Sequence, residues 1–367
     1  MKIAVLCYGI IGKAIKQLLD NSHLSSRMSP LGKRIEVTAY DIIEQPNCTK
    51  INHIKEVTKN NDLVICSTPY NVNKKVAKSC TKNNCHYIDL TEDTKNTDYI
   101  RKIAVADNQM FIPQCGLAPG AVNIIANFLA KKLDVVDSIK IRVGALPKHP
   151  TNIMKYNFTW SPEGVINEYC NPCDAIVKGE KVITQPLEGY ENLFLNGKQF
   201  EAFNTSGGAA TLVETWEGKV QNLDYKTIRY VGHHHLMKFL LEDMDMANNK
   251  QQICDLLKQK MLDKIEDIVY ILVKVSGIHE DKKIEHVYEK AIEGSDGLSA
   301  IQKTTASGAC SWVSNIVNEN FKGSGFIKQE DLGFVLFASN EFGKVYANMS
   351  KKVDWVEFPD QGFMVYE

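Results

Sequence analysis

Residues 3–12 read Ile-Ala-Val-Leu-Cys-Tyr-Gly-Ile-Ile-Gly. The apolar run Ile3–Cys7 predicts a strand, and the spacing from about Gly12 to Leu19 predicts the helix that follows. Gly9 and Gly12 fall at the strand-to-helix turn, where dinucleotide-binding sheets carry a Gly-x-Gly-x-x-Gly fingerprint. A glycine at 9 lets backbone approach a pyrophosphate, a glycine at 12 lets helix and strand pack closely, and the helix N-terminus adds free N–H groups. Cys7 stands where the fingerprint has its first glycine. Tyr8, Gly9, Ile10, Ile11 and Gly12 are therefore candidate cofactor contacts; a plain small-residue turn is the other reading of the same stretch.

Working outward, Ile35–Tyr40, Leu63–Ser67 and His86–Leu90 are strand-like and are separated by helical patterns, which predicts a doubly wound parallel sheet of the Rossmann type. The polar stretch Asn21–Arg34 reads as a surface loop that lengthens the first unit. Asp41 follows the second strand, where an acid binds the ribose hydroxyls of NAD and repels the extra phosphate of NADP; Lys33 and Arg34 leave NADP open. Parallel sheets bind ligands at the carboxyl ends of their strands. Ser67, Thr68 and Pro69 join the cofactor set on that ground, with Tyr70 facing cofactor or substrate and Asp89 placed to bind a substrate amine. Thr91 and Glu92 follow Asp89 and put another carboxylate at the same edge.

Near Gly116 the pattern changes. Ile139–Val143 and Tyr156–Trp160 are strand-like, and residues 139–231 read as short runs of a mostly antiparallel sheet. Met237–Ile265 is helix-rich, Ile268–Val275 is strand-like, and Ser299–Val317 is a long helical pattern that returns to the first region. The expected fold is α/β: a Rossmann domain of residues 1–120 and 300–367, with an α+β substrate and dimerisation domain of residues 121–299 inserted into it.

The inserted region gathers polar groups: Lys148, His149, Lys155 and Asn157, then Lys226, Arg229, Tyr230, His233, His234 and His235. Arginine grips carboxylates with parallel hydrogen bonds, and Tyr or His can move a proton, so Lys148, Arg229 and His233 are candidate substrate contacts. Three adjacent histidines cannot all face one ion, so no metal is expected. Cys170-Asn171-Pro172-Cys173 lacks both a second pair and a strand before it, and reads as structural rather than as a redox motif.

With 44% hydrophobic and 24% charged residues the chain has the composition of a globular protein. A net charge of -1 argues against nucleic acid or an anionic membrane as partner. Ten scattered cysteines, no leader-like N-terminus and no long apolar stretch lead to the expectation of a soluble cytoplasmic protein, with a homodimer the expected assembly.

Five longer runs carry a family signature: HYIDLTED (86–93), GLAPGAVNIIA (116–126), LPKHPTNIMKYNFTWSPEGVINEY (146–169), EAFNTSGGAATL (201–212) and YKTIRYVGH (225–233). Together they resemble the saccharopine dehydrogenase family, including the lysine 6-dehydrogenases. The resemblance implies a Rossmann domain left near Gly116 and rejoined near Ser299, and hydride transfer between NAD(P) and the amine of a lysine-derived amino acid. It implies cofactor contacts at Tyr8–Gly12, Asp41 and Ser67–Pro69, and substrate contacts at Tyr70, Asp89, Arg229 and His233. The amine must be neutral before hydride leaves, which makes His233 the expected base, with Asp89 or Tyr230 as alternatives. Saccharopine, lysine and carboxynorspermidine remain open as substrates, with the cations at 148, 155, 226 and 229 favouring a glutamyl substituent. A cofactor-binding protein without turnover is the reading from another class, prompted by Cys7.

Overall fold

The computed structural model describes residues 1–26, 35–261, 266–347 and 351–354. Strand β1 (Lys2–Leu6) is buried along all but its first residue, as a strand covered by helices on both faces must be. It leads into α1 (Ile10–Asp20), the short α2 (His23–Ser26), β2 (Glu36–Asp41), β3 (Thr49–Lys50), α3 (Ile54–Asn60) and β4 (Leu63–Cys66). Then follow α4 (Tyr70–Asn83), β5 (His86–Asp89), α5 (Thr94–Ile103) and β6 (Met110–Ile112). The stretch read as a loop from Asn21 thus contains α2; its remainder, with Lys33 and Arg34, lies outside the described residues.

The second region holds α6 (Ala121–Ala130), β7 (Val135–Pro147), α7 (Pro162–Cys170), β8 (Cys173–Val177), β9 (Glu180–Thr184), β10 (Glu191–Leu195) and β11 (Lys198–Asn204). It continues with α8 (Leu212–Trp216), β12 (Val220–Tyr230), α9 (His233–Lys238), α10 (Lys250–Met261), β13 (Asp267–His279) and β14 (Lys282–Glu293). The chain then runs through α11 (Ala300–Val317), β15 (Gly325–Phe326), α12 (Phe334–Ser339) and β16 (Lys351–Asp354).

The first sheet has seven strands in the order β15-β6-β5-β4-β1-β2-β3, and every pairing in it is parallel. The strand order reverses between β1 and β4, so the connections that leave their paired carboxyl ends run to opposite sides and leave a crevice. The second sheet has nine strands, with the path β10-β11-β12-β7-β13-β14-β16 and the hairpin β8–β9 attached to β12. Its pairings are antiparallel except β12 with β7.

Ser299 caps α11 by accepting from the Gln302 amide, and α11 then packs against α1 and β13 together. One apolar core therefore runs from β1 and α1 through α6 and α11 into β7 and β13, with Trp312 fully buried in it. Residues 351–354 pair with β14 of the second sheet rather than joining the first, because the edge of β14 is open to them. The run Tyr156–Trp160, expected as a strand, is an irregular loop. Its alternation arises because Tyr156 and Phe158 are buried in the second core and meet edge to face. Among the described residues no helix is long and apolar enough to cross a membrane.

Candidate active site

A cavity of about 800 Å³ opens where the carboxyl ends of β1, β4 and β5 meet β7, β12 and α7. Cys7, Gly9, Ile10 and Ile11 line it from the first turn, Ser67 to Val72 from the turn after β4, and Leu90, Thr91 and Glu92 from the end of β5. The opposite wall carries Tyr156, Trp160, Glu163, Glu168, Tyr225, Thr227 and Arg229.

The first turn is built as a glycine turn without its first glycine. Cys7 has φ of 79°, the left-handed region that glycine favours, and its amide donates to the Tyr40 carbonyl at 2.9 Å. A Cβ on Gly12 would stand 1.9 Å from the Cys7 carbonyl oxygen, so only glycine lets α1 approach β1 this closely. The Ser67 hydroxyl donates to the Cys7 carbonyl at 2.8 Å and clamps the turn from β4. Asp41, the last residue of β2, accepts from the Tyr8 amide at 2.7 Å and the Ile43 amide at 3.1 Å.

These residues fit a dinucleotide. No side chain caps α1, and a Cβ on Gly9 would meet only the Cys7 sulfur at 3.9 Å, so the helix N-terminus is approachable. Gly9, Ile10, Ile11, Ser67, Thr68 and Pro69 line the cavity as expected, whereas Tyr8, Gly12 and Asp41 stand behind this wall and shape the turn. Thr68 hydrogen-bonds Asn73 at 2.7 Å, and Pro69 caps α4.

On the substrate side, Tyr70 and Arg229 line the cavity and the other expected residues do not. Asp89 is fully buried and accepts from the Thr91 and Gln114 amides and the Tyr87 hydroxyl at 2.8–3.0 Å. Burial pushes its carboxyl up to about 6 against those three hydrogen bonds. Through the Thr91 amide it orders the loop that carries Glu92. His233 is also buried: its Nε2 meets the Tyr169 hydroxyl at 3.1 Å and its Nδ1 the Met154 carbonyl at 3.0 Å. Burial and the neighbouring Arg229 pull its pKa down to about 3, which leaves the imidazole neutral. Tyr230 spends its hydroxyl on the Pro147 carbonyl and stacks on Phe200, and Lys148 pairs with Glu293 at 2.8 Å away from the cavity.

The residues that sequence reasoning passed over are Glu168, Tyr169 and Tyr156. Glu168 and Tyr169 sit on the inward face of α7, which Ser161 starts by accepting from the Gly164 amide. Tyr156 presents its ring to the Arg229 guanidinium at 4.7 Å. Arg229 donates from Nε to the Tyr169 hydroxyl at 2.7 Å. Burial first, then Glu92, pushes the Glu168 carboxyl well above the usual range, with Arg229 opposing. Burial, with Asp93 and Asp89 adding to it, pushes Glu92 up to about 7. Their signal in the sequence was the acidic pair of SPEGVINEY and the Glu92 after β5, scattered over too many residues to be read as one site. Among the described residues no group of three or more His, Cys, Asp or Glu could hold a metal ion.

Residues 116–336 match the family described as the saccharopine dehydrogenase C-terminal domain. Among curated proteins the chain is 22% identical to the mitochondrial alpha-aminoadipic semialdehyde synthase of Rattus norvegicus over 73% of this chain and 33% of that protein. The Mus musculus protein is 26% identical over the same shares. The chain thus spans about a third of the length of these relatives. Its fold is that of saccharopine dehydrogenase (L-Glu forming) from Saccharomyces cerevisiae, with a TM-score of 0.76 at 14% identity over 97% of this chain and 100% of that one. The homospermidine synthase of Legionella pneumophila, solved in complex with NAD, matches with a TM-score of 0.67 at 12% identity over 99% of this chain and 94% of that one. The match covers more than half of the chain, and the chain belongs to the saccharopine dehydrogenase family.

Proposed function

We propose that the chain is an NAD-dependent oxidoreductase that transfers hydride at the C–N bond of a lysine-derived amino acid. The observation that carries this is one cavity that joins the crevice between β1 and β4 to the buried guanidinium of Arg229. A nicotinamide held there supplies the hydride acceptor, so that amine, NAD⁺ and water give carbonyl product, released amine, NADH and a proton.

The chain's own residues supply position and charge. The Gly9–Ile11 turn and the Ser67–Pro69 turn hold the dinucleotide, and Asp41 stabilises the turn next to the ribose position and favours NAD over NADP by charge. Arg229 holds a substrate carboxylate, with its Nε fixed by the Tyr169 hydroxyl and its Nη1 by the Ile228 carbonyl at 2.8 Å, so that Nη2 is the nitrogen left for the ligand. The base assignment moves from His233, Asp89 and Tyr230, which do not line the cavity, to Glu92, which does and whose raised pKa suits proton transfer near neutral pH. The proposed setting is cytoplasmic, and the proposed assembly is a homodimer, to which exposed Phe194 on β10 and Ile183 on β9 contribute apolar surface.

The test is NADH and NADPH absorbance with purified protein given lysine, saccharopine or carboxynorspermidine, each with NAD⁺ or NADP⁺. Turnover with an NAD⁺ pairing supports the reading, and no reduction of either cofactor by any of the three removes it.

A further inference from the structure

Arg229 reaches the cavity with one uncommitted nitrogen, which leaves half of a carboxylate unheld. Its Nε donates to the Tyr169 hydroxyl at 2.7 Å and its Nη1 to the Ile228 carbonyl at 2.8 Å, so Nη2 is the nitrogen that remains. The parallel two-bond grip of an arginine on a carboxylate uses two of its nitrogens. No other cation supplies the second bond: among the described residues Arg229 is the only Lys, Arg or His that lines the cavity. Lys148 pairs with Glu293, Lys226 with Glu191 at 2.8 Å and Asp224 at 3.6 Å, and Lys155 donates to the Val231 carbonyl at 3.1 Å. The second oxygen of a ligand carboxylate therefore needs a neutral donor.

Four hydroxyl side chains line the cavity from β12 and from the loop that leads into α7: Tyr156, Ser161, Tyr225 and Thr227. Ser161 donates to Glu163 at 3.1 Å, and Thr227 donates to the Val143 carbonyl at 3.4 Å. The Tyr156 hydroxyl is sealed off from solvent. Tyr225 differs from all three. Its side chain is packed so closely that the residue is only 8% exposed, yet among the described residues its hydroxyl is neither sealed off nor hydrogen-bonded.

The fold holds that hydroxyl in place. Tyr225, Thr227 and Arg229 alternate along β12 and so share one face of the strand. A Cβ on Gly208 would stand 2.4 Å from the Tyr225 Cζ, so only glycine lets the ring lie across the turn that follows β11. Asn123 fixes this turn by donating from Nδ2 to the Gly208 carbonyl at 3.1 Å and the Ala209 carbonyl at 2.9 Å. Burial first, then Glu168, push the phenol above its ordinary pKa, with Arg229 opposing, so the hydroxyl keeps its proton and can donate it to a hydrogen bond. Burial and Glu92 also push the Glu168 carboxyl toward its neutral form, and Glu163 is paired with Lys258, so this wall offers little negative charge to oppose an anion.

We infer that the Tyr225 hydroxyl is the second donor of the substrate site: one oxygen of the ligand's carboxylate is held by Arg229 Nη2 and the other by Tyr225. The inference rests on the reading of Arg229 as the carboxylate contact. It makes Tyr225 a specificity-determining residue, because a ligand without the carboxylate leaves the buried phenol without a partner.

The experiment is calorimetric titration of the full chain, saturated with NADH to prevent turnover, with saccharopine, with L-lysine and with cadaverine, which is lysine without its carboxylate. At least one of the two amino acids is expected to bind. Tyr225→Phe is expected to weaken that binding about tenfold or more, to leave cadaverine and NADH binding unchanged, and to melt no lower than the wild type, since it deletes a buried group that has no partner in the fold. Unchanged amino-acid affinity in Tyr225→Phe, an equal loss for cadaverine, or a melting temperature lowered by several degrees overturns the inference. Arg229→Gln separates the two readings: amino-acid binding lost there and unchanged in Tyr225→Phe rejects Tyr225 and keeps Arg229, whereas no binding of either amino acid to the wild type rejects both. NADH production is read separately. Binding that meets these expectations without reduction of NAD⁺ or NADP⁺ by either amino acid keeps the carboxylate clamp and rejects the oxidoreductase.

Discussion

The Tyr169 hydroxyl accepts from Arg229 Nε at 2.7 Å and lies 3.1 Å from His233 Nε2, so the guanidinium that faces the cavity is fixed from behind by a relay of two aromatic side chains. With Nδ1–H donating to the Met154 carbonyl, Nε2 accepts from Tyr169 and the relay is neutral and saturated. Tyr169→Phe removes the middle member. A hydrogen bond to a charged group is worth roughly 1.5–3 kcal/mol, so KM for a carboxylate substrate is expected to rise about tenfold while kcat moves far less. Steady-state kinetics on the purified variant measure that split.

In the proposed reaction His233 acts as a positioning residue behind Arg229. Its folded pKa of about 3 lies below the ordinary 6.5, so the unfolded chain takes up the proton first. Its contribution to stability is complete above about 6.5 and is lost as pH falls toward 3. His233→Gln is expected to weaken this acid-side loss in urea melts and to leave the inflections of the kcat pH profile where they were. Loss of an inflection would reinstate His233 as the base.

Glu92 has the opposite sign. Its folded pKa of about 7 lies above the ordinary 4.5, so its contribution to stability is present below 4.5 and is lost as pH rises through 7. The ionised form is the one that can accept a proton from the amine. kcat/KM for amine oxidation is therefore expected to climb through about pH 7, and Glu92→Gln is expected to flatten that limb. A pH series on both proteins tests it.

Asp89→Ala strands two backbone amides and the Tyr87 hydroxyl in a fully buried place. Each unmet group costs about 1–3 kcal/mol, so the melting temperature is expected to fall by roughly ten degrees, far more than an exposed substrate contact would cost. Calorimetric melts of wild type and variant decide between the two roles.

Cys7→Gly releases a residue held at φ of 79°. A left-handed backbone costs a non-glycine residue about 1–2 kcal/mol, partly offset by the entropy glycine loses on folding. The variant is expected to melt a few degrees higher and to bind NAD at least as tightly, which thermal melts with and without NAD report.

The first sheet was legible in the sequence because its strands are continuous apolar runs and its turn carries glycines at fixed offsets; both are local properties. Ser299 before a helical pattern likewise announced α11, and Arg229 could be singled out by its chemistry. Tyr156–Trp160 misled because burial in an irregular loop produces the same alternation as a strand.

Which of the charged residues around the cavity are paired was decided by tertiary structure alone. Residue identity determines which charges exist, but only packing determines which of them are already paired. Lys148 and Lys226 are neutralised by partners far away in the chain, while Glu92 and Glu168, distant in sequence, are brought to one turn and left unpaired. Asp89 and His233 have the chemistry of catalytic groups, and packing buries both and gives each hydrogen-bond partners within the fold.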